Sequence, residues 1–187
     1  MARLHDVCPP WFGYVLANPV RRLWQDPHRI LAPYVTAGMT VLEPGPAMGF
    51  FTLELARLVG PSGRIVAVDL QAKMLEALGR RARKRGLEGR IEMRQATEAG
   101  LGIADLAGRG DFALAFAVVH EVPDQDRFFA EVAAALKPGA RVLFAEPRSP
   151  VSESLFSEEL RLAAAHGLGE AGRPAIKSSR AALLVKA

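Results

Sequence analysis

Residues 41–52 read VLEPGPAMGFFT: an apolar run ending in an acid, a turn rich in glycine and proline, then apolar residues again. That punctuation marks a buried strand feeding a helix. Outward from it, MTVLEP (39–44), GRIVAVDL (63–70), RIEMRQA (90–96), DFALAFAVV (111–119) and ARVLFAEP (140–147) read as strands. FFTLELARLV (50–59), AKMLEALGRRARKRG (72–86) and RFFAEVAAALK (127–137) read as the helices between them. Strands that are continuous Val, Ile, Leu, Phe and Ala runs, separated by helices, predict a parallel sheet covered on both faces. GPSG at 60–63, Gly86 and KPGA at 137–140 supply the helix stops.

After Pro150, SESLFSEELRLAAAHG (152–167) has apolar residues at helical spacing, LGEAGRPAI (168–176) reads as an edge strand and RAALLVKA (180–187) as a last buried strand. The first forty residues hold two helical stretches, residues 11–17 and residues 19–34, the second interrupted near Pro27. The expectation is one domain over 1–187, made of a helical cap at 1–38 and an α/β core at 39–187.

The chain of 187 residues carries a net charge of +4 and is half hydrophobic. Its mildly basic pI of 9.6 permits anionic partners without demanding them. Cys8 is the single cysteine, so no disulfide within the chain is possible and a cytoplasmic home is expected. No apolar run approaches the roughly 20 residues of a membrane span, and the first residues lack the apolar core of a signal peptide. Cys8, with His5 nearby, is read as a plain thiol, and no metal centre is expected. RRARKRG (80–86) resembles a nucleic-acid patch in charge alone. On a crossover helix it faces solvent with no aromatic platform interleaved, which argues against DNA or RNA as partner.

In an open parallel sheet, ligands sit beyond the carboxyl ends of the strands. A dinucleotide fingerprint starting at Gly45 would place glycines where this chain has Ala47 and Phe50, which weakens a nicotinamide-dependent oxidoreductase. The spacing acid-x-Gly-x-small-x-Gly is met by Glu43, Gly45, Ala47 and Gly49. On that motif the chain resembles the class I S-adenosylmethionine-dependent methyltransferases. Asp69, twenty residues after Gly49, and Leu70 match the acid and apolar residue that end the family's second strand. FAVVHEVPDQDRFFAEVAAALKPGARVLFAEP (116–147) is similar to the family's fourth strand through its fifth, with Ala140 where a second glycine is usual.

The resemblance implies a three-layer Rossmann-like sandwich with a mostly parallel seven-stranded sheet and an N-terminal helical cap. It implies S-adenosyl-L-methionine as cofactor and a small-molecule methyl acceptor. By the same resemblance, Glu43 stands near the cofactor's amino group, with Gly45, Pro46, Ala47 and Gly49 beneath its methionine part. Asp69 takes the ribose hydroxyls, Leu70 lies beside the adenine, and Ala96, Thr97, Glu98 and Ala117 line the remainder; Thr97 stands where the family commonly has an acid. Phe50 and Phe51 are left for packing. His120 and Glu121, just past the fourth strand, are the candidate base or substrate-orienting groups. Trp11, Phe12 and Tyr14 are candidate lid residues over the acceptor. A protein that keeps the cofactor pocket without turnover, and a methyltransferase of nucleic acid or protein, are the alternatives.

Overall fold

The computed structural model describes residues 25–187. Seven strands form one sheet in the order β3-β2-β1-β4-β5-β7-β6. They are β1 (Thr40–Pro44), β2 (Arg64–Asp69), β3 (Ile91–Gln95), β4 (Gly110–Phe116), β5 (Leu136–Pro147), β6 (Leu168–Gly172) and β7 (Ser179–Lys186). β1 to β5 are mutually parallel, and β7 inserts antiparallel between β5 and β6. The helices are α1 (Pro27–Leu31), α2 (Thr52–Leu58), α3 (Ala72–Arg83), α4 (Gln125–Ala135) and α5 (Glu153–Ala165).

Alternation along the strands sorts the core into two layers. Val41, Ile65, Ala67, Phe112, Leu114, Leu143 and Ala145 point to the layer holding Leu31, Phe51, Leu53, Leu55 and Leu78 from α1, α2, α3 and their flanks. Leu42, Val66, Val68, Ala113, Ala115, Val142 and Phe144 point to the layer holding Phe128, Phe129, Val132 and Phe156 from α4 and α5. Crossovers from β1 and β2 thus cover one face and those from β4 and β5 the other. The carboxyl ends of β1 and β4 meet at the switch between them, where such sheets bind ligands.

Two local expectations change. Pro27 opens α1 instead of interrupting a helix, because Asp26 caps it and the fixed φ of proline suits the first turn. α4 stops at Ala135, before KPGA, because Leu136 already pairs with Gly110 on β4. Tyr34 lies flat over Phe112 at 6.2 Å, and Leu31 and Val35 are buried, so the stretch after α1 is packed onto the core. The remainder of the expected cap, with Trp11, Phe12, Tyr14 and Cys8, lies outside the described residues.

Candidate active site

β1 delivers Glu43 to the carboxyl end of the sheet in a buried environment: it is only 3 % exposed. Its Oε2 has no hydrogen-bond partner, and the neighbouring Thr52 hydroxyl, at the start of α2, has none either. Burial raises the Glu43 carboxyl to about 8; the Asp69 charge adds to this, and Thr52 opposes it without reaching hydrogen-bond geometry. A buried carboxyl oxygen without a donor is costly, and it suits a site that receives a cationic or donating ligand.

The loop after β1 is shaped by three left-handed residues, Gly45, Ala47 and Gly49. Gly45 donates to the Val68 carbonyl and Gly49 to the Pro46 carbonyl, both at 2.8 Å. A side chain at Gly45 would lie 2.6 Å from Val118 Cγ2, and one at Gly49 would collide with Leu78 Cδ1. The glycines therefore serve close packing as well as the turn. Ala47 adopts φ of 47° despite its Cβ and points its N–H at Asp69 Oδ2, 3.2 Å away. Arg81 reaches from α3 to the Met48 carbonyl, so this member of the basic run faces the loop and not solvent. Arg80, Arg83, Lys84 and Arg85 are exposed as expected.

Asp69 ends β2 and also accepts from the Gln71 N–H at 2.9 Å. Burial raises its carboxyl, against the two backbone donors, Gln71 and Ala47, which lower it. Leu70 beside it is 45 % exposed, an apolar surface left open where the resemblance expects a flat ring. The Ala96 N–H donates to the Asp69 carbonyl, which draws the turn after β3 against β2. Ala96 is half-buried, while Thr97 and Glu98 are exposed and Thr97 bridges to Gly100. A cavity of about 350 Å³ opens on the other side of that turn, lined by Thr97, Gly100, Ile103, Glu131 and Ala134 among others. None of Glu43, Asp69 or Leu70 lines it, so it is separate from the cluster at the strand ends. Phe50 and Phe51 are buried and meet edge to face at 5.0 Å. A bulky ring thus fills the place where a dinucleotide loop needs glycine.

Ala117 follows the last residue of β4, left-handed at φ of 55°, and its N–H donates to the Ala145 carbonyl at 2.7 Å. A single 3-10 turn, Val119–Glu121, follows and carries His120. Its Nδ1 meets Oε2 of Glu146 at 2.5 Å, and Oε1 of Glu146 accepts from the Val119 N–H at 2.8 Å. Paired with a carboxylate, which only accepts, Nδ1 carries the hydrogen, and in the neutral ring Nε2 keeps its lone pair. Nε2 lies 3.8 Å from Glu121 Oε1. Burial pushes the His120 imidazole toward the neutral form, but the Glu146 hydrogen bond and charge, with Glu121 and Glu159, outweigh it and leave its proton affinity above the ordinary value.

The sequence reading placed Glu43, Gly45, Pro46, Ala47, Gly49, Asp69, Leu70, Ala96, Thr97, Glu98, Ala117, His120 and Glu121 around the ends of β1 to β4; all lie at those strand ends, with Thr97 and Glu98 exposed and Thr97 also lining the neighbouring cavity. It missed two acids. Glu146, fully buried at the end of β5, sits in FAEP just as Glu43 sits in VLEP, so the same strand-end acid was legible twice. Glu159 is fully buried on α5 and falls on the apolar stripe with Phe156, Leu160 and Ala163, a charge where the helical period calls for a hydrophobe.

A family model described as "Methyltransferase domain" matches residues 35–171. The ubiquinone/menaquinone biosynthesis C-methyltransferase UbiE of Hahella chejuensis is 33 % identical over 145 residues, covering 76 % of this chain and 57 % of that protein. The chain spans somewhat over half the length of the curated relatives it matches. A crystal structure of a SAM-dependent methyltransferase from Aquifex aeolicus superposes with a TM-score of 0.83 at 21 % identity, covering 97 % of this chain and 100 % of that one. A SAM-dependent O-methyltransferase from Thermotoga maritima gives a TM-score of 0.64 at 18 % identity, covering 97 % and 66 %. At these identities the two structures speak for the fold.

Proposed function

Because the chain belongs to the methyltransferase-domain family, its model matching residues 35–171, we propose that it is an S-adenosylmethionine-dependent methyltransferase acting on a small-molecule acceptor. The observation that carries this reading is the buried, donor-less Oε2 of Glu43 beside the left-handed loop at 45–49. The residues fit the cofactor: the unpaired Oε2 of Glu43 suits its ammonium, a close backbone suits its methionine part, Asp69 suits the ribose and the bare Leu70 surface suits adenine. Ala96, Thr97, Glu98 and Ala117 would complete the rim. The nicotinamide alternative loses ground to the buried ring of Phe50.

When bound, the cofactor supplies a methyl group on a sulfonium, an electrophile with its leaving group in place. The loops after β1, β2 and β3 fix its orientation, and burial keeps water from the reacting line. An acceptor atom that bears a proton passes it to Nε2 of His120, and Glu146 steadies the resulting imidazolium through Nδ1. That pairing suits a weak acid such as a phenolic or enolic compound, methylated at oxygen or carbon; the Hahella chejuensis relative is named a C-methyltransferase. Glu121, 3.8 Å from Nε2, orients the ring or the acceptor. Trp11 and Tyr14 are proposed as lid residues over that acceptor.

We place the protein in the cytoplasm, on the strength of its single cysteine. Among the described residues no helix is long and apolar enough to cross a membrane. The test is transfer of a labelled methyl group from S-adenosylmethionine to a panel of phenolic, enolic, amine and thiol compounds. Label appearing in phenolic or enolic products supports the reading; label confined to amines or thiols contradicts the assigned role of His120.

A further inference from the structure

Behind His120 lies a second acid that the reaction above does not use. Glu159 is fully buried on α5, and its Oε2 has no partner. Its Oε1 accepts from Gln125 Nε2 at 3.4 Å, and the same amide donates to the Val119 carbonyl at 3.0 Å. Val119 in turn donates its N–H to Glu146. One short chain of contacts therefore runs from α5 through the first residue of α4 to the turn that carries His120. The charged and titratable groups around the imidazole are Glu121 on its own turn, Glu146 from β5 and Glu159 from α5, with the neutral Gln125 from α4 between them. With a second fully buried acid this close, the charge on Glu159 and the charge on the imidazole are not independent.

We propose that Glu159 is a positioning residue of this site, coupled through Gln125 and the turn at Val119 to the Glu146–His120 pair so that Glu159 and the imidazole titrate together. Glu159 thereby sets the pH at which His120 can accept a proton. This rests on the assignment of His120 as the base, yet it makes a claim about proton equilibria that needs neither cofactor nor acceptor. Burial and the Glu146 charge raise the Glu159 carboxyl to about 7, and His120 lowers it in return. Glu159 is thus neutral in mildly acidic solution and becomes charged as pH passes through neutrality, drawing a proton toward His120 as it does so.

The experiment is a pH titration of the full chain by NMR, following the His120 ring and the side-chain carboxyl carbons of isotopically labelled glutamate. It is run on the native protein, on Glu159→Gln and on Glu146→Gln. In the native protein the His120 curve is expected to be broader than a one-proton curve, and the Glu159 carbon to inflect over the same pH range. In Glu159→Gln, which keeps the shape and the Gln125 contact, the His120 curve should narrow to one proton and its midpoint should move down. Glu146→Gln should move the midpoint down further, since it removes the direct partner. Once an acceptor is in hand, the acid limb of kcat in Glu159→Gln should move with the His120 midpoint. A His120 curve in Glu159→Gln that overlays the native one overturns the proposal, because a purely packing role would alter stability alone. If that variant does not fold, the native glutamate signal decides: a Glu159 carboxyl with no inflection shared with His120 overturns it equally.

Discussion

Glu43 makes the sharpest claim about a single side chain. Its carboxyl, raised by burial from 4.5 to about 8, stays protonated in the folded chain while the unfolded chain has already ionised. The unfolded state therefore binds fewer protons between these values, so folding stability falls as pH rises from 4.5 to about 8 and levels off above. At 1.36 kcal/mol per unit this costs up to roughly 5 kcal/mol. Glu43→Gln removes the penalty, so its melting temperature should fall less than that of the native protein between mildly acidic and mildly basic solution. The same variant should bind S-adenosylmethionine at least about tenfold more weakly, as loss of a charge-assisted contact implies. Binding to the native protein near neutral pH should release a proton, seen as a dependence of the calorimetric heat on the ionisation enthalpy of the buffer. His120 makes the complementary claim for turnover. Its proton affinity stands above the ordinary value, so kcat should rise with pH through a midpoint above 6.5 as the imidazole becomes neutral. His120→Asn should lower kcat about 10²- to 10⁴-fold and leave cofactor affinity unchanged. Both residues were readable in the sequence, one as the acid closing an apolar run and the other as a histidine just past one. Glu146 and Glu159 went unread although their signals were present, an acid closing the apolar run of β5 and an acid on the apolar stripe of α5.

The loop between β1 and α2 shows why the motif has its spacing. Gly49 is left-handed at φ of 83°, and the Leu78 methyl of α3 fills the space a Cβ would need. Gly49→Ala combines backbone strain with overpacking and should cost about 2 kcal/mol, read as a drop in the midpoint of denaturant unfolding. Gly45 meets Val118 in the same way, which couples the loop after β1 to the turn carrying His120. Strand parity accounts for the two strand-end acids pointing apart. Glu43 shares the parity of Val41 and turns toward α2, whereas Glu146 shares that of Val142 and Phe144 and turns toward α4 and α5. Helix ends were less legible than strands. Local signals placed a stop at KPGA, but pairing of Leu136 with Gly110 ended α4 earlier, a tertiary contact that no window of sequence contains.

A mostly parallel seven-stranded sheet was implied by the resemblance and by strands too apolar to face water; β6 and β7 match the edge and final strands expected after Pro150, and β7 alone runs antiparallel to the rest. What the sequence held less openly is how the carboxyl ends divide the work. β1 to β3 present Glu43, the loop at 45–49, Asp69 and Leu70 as one cluster, and β4 with β5 presents His120 on Glu146 as another. Register brings them side by side, since β1 pairs with both β2 and β4. The central claim is that the first cluster holds S-adenosylmethionine. Calorimetric titration of the purified chain with S-adenosylmethionine, its demethylated product and NAD, repeated on Asp69→Ala, tests it directly. Micromolar binding of the first two, weakened at least about tenfold in the variant with no binding of NAD, is the predicted result. Absence of binding by either sulfur compound, or tight binding of NAD in their place, would contradict the account.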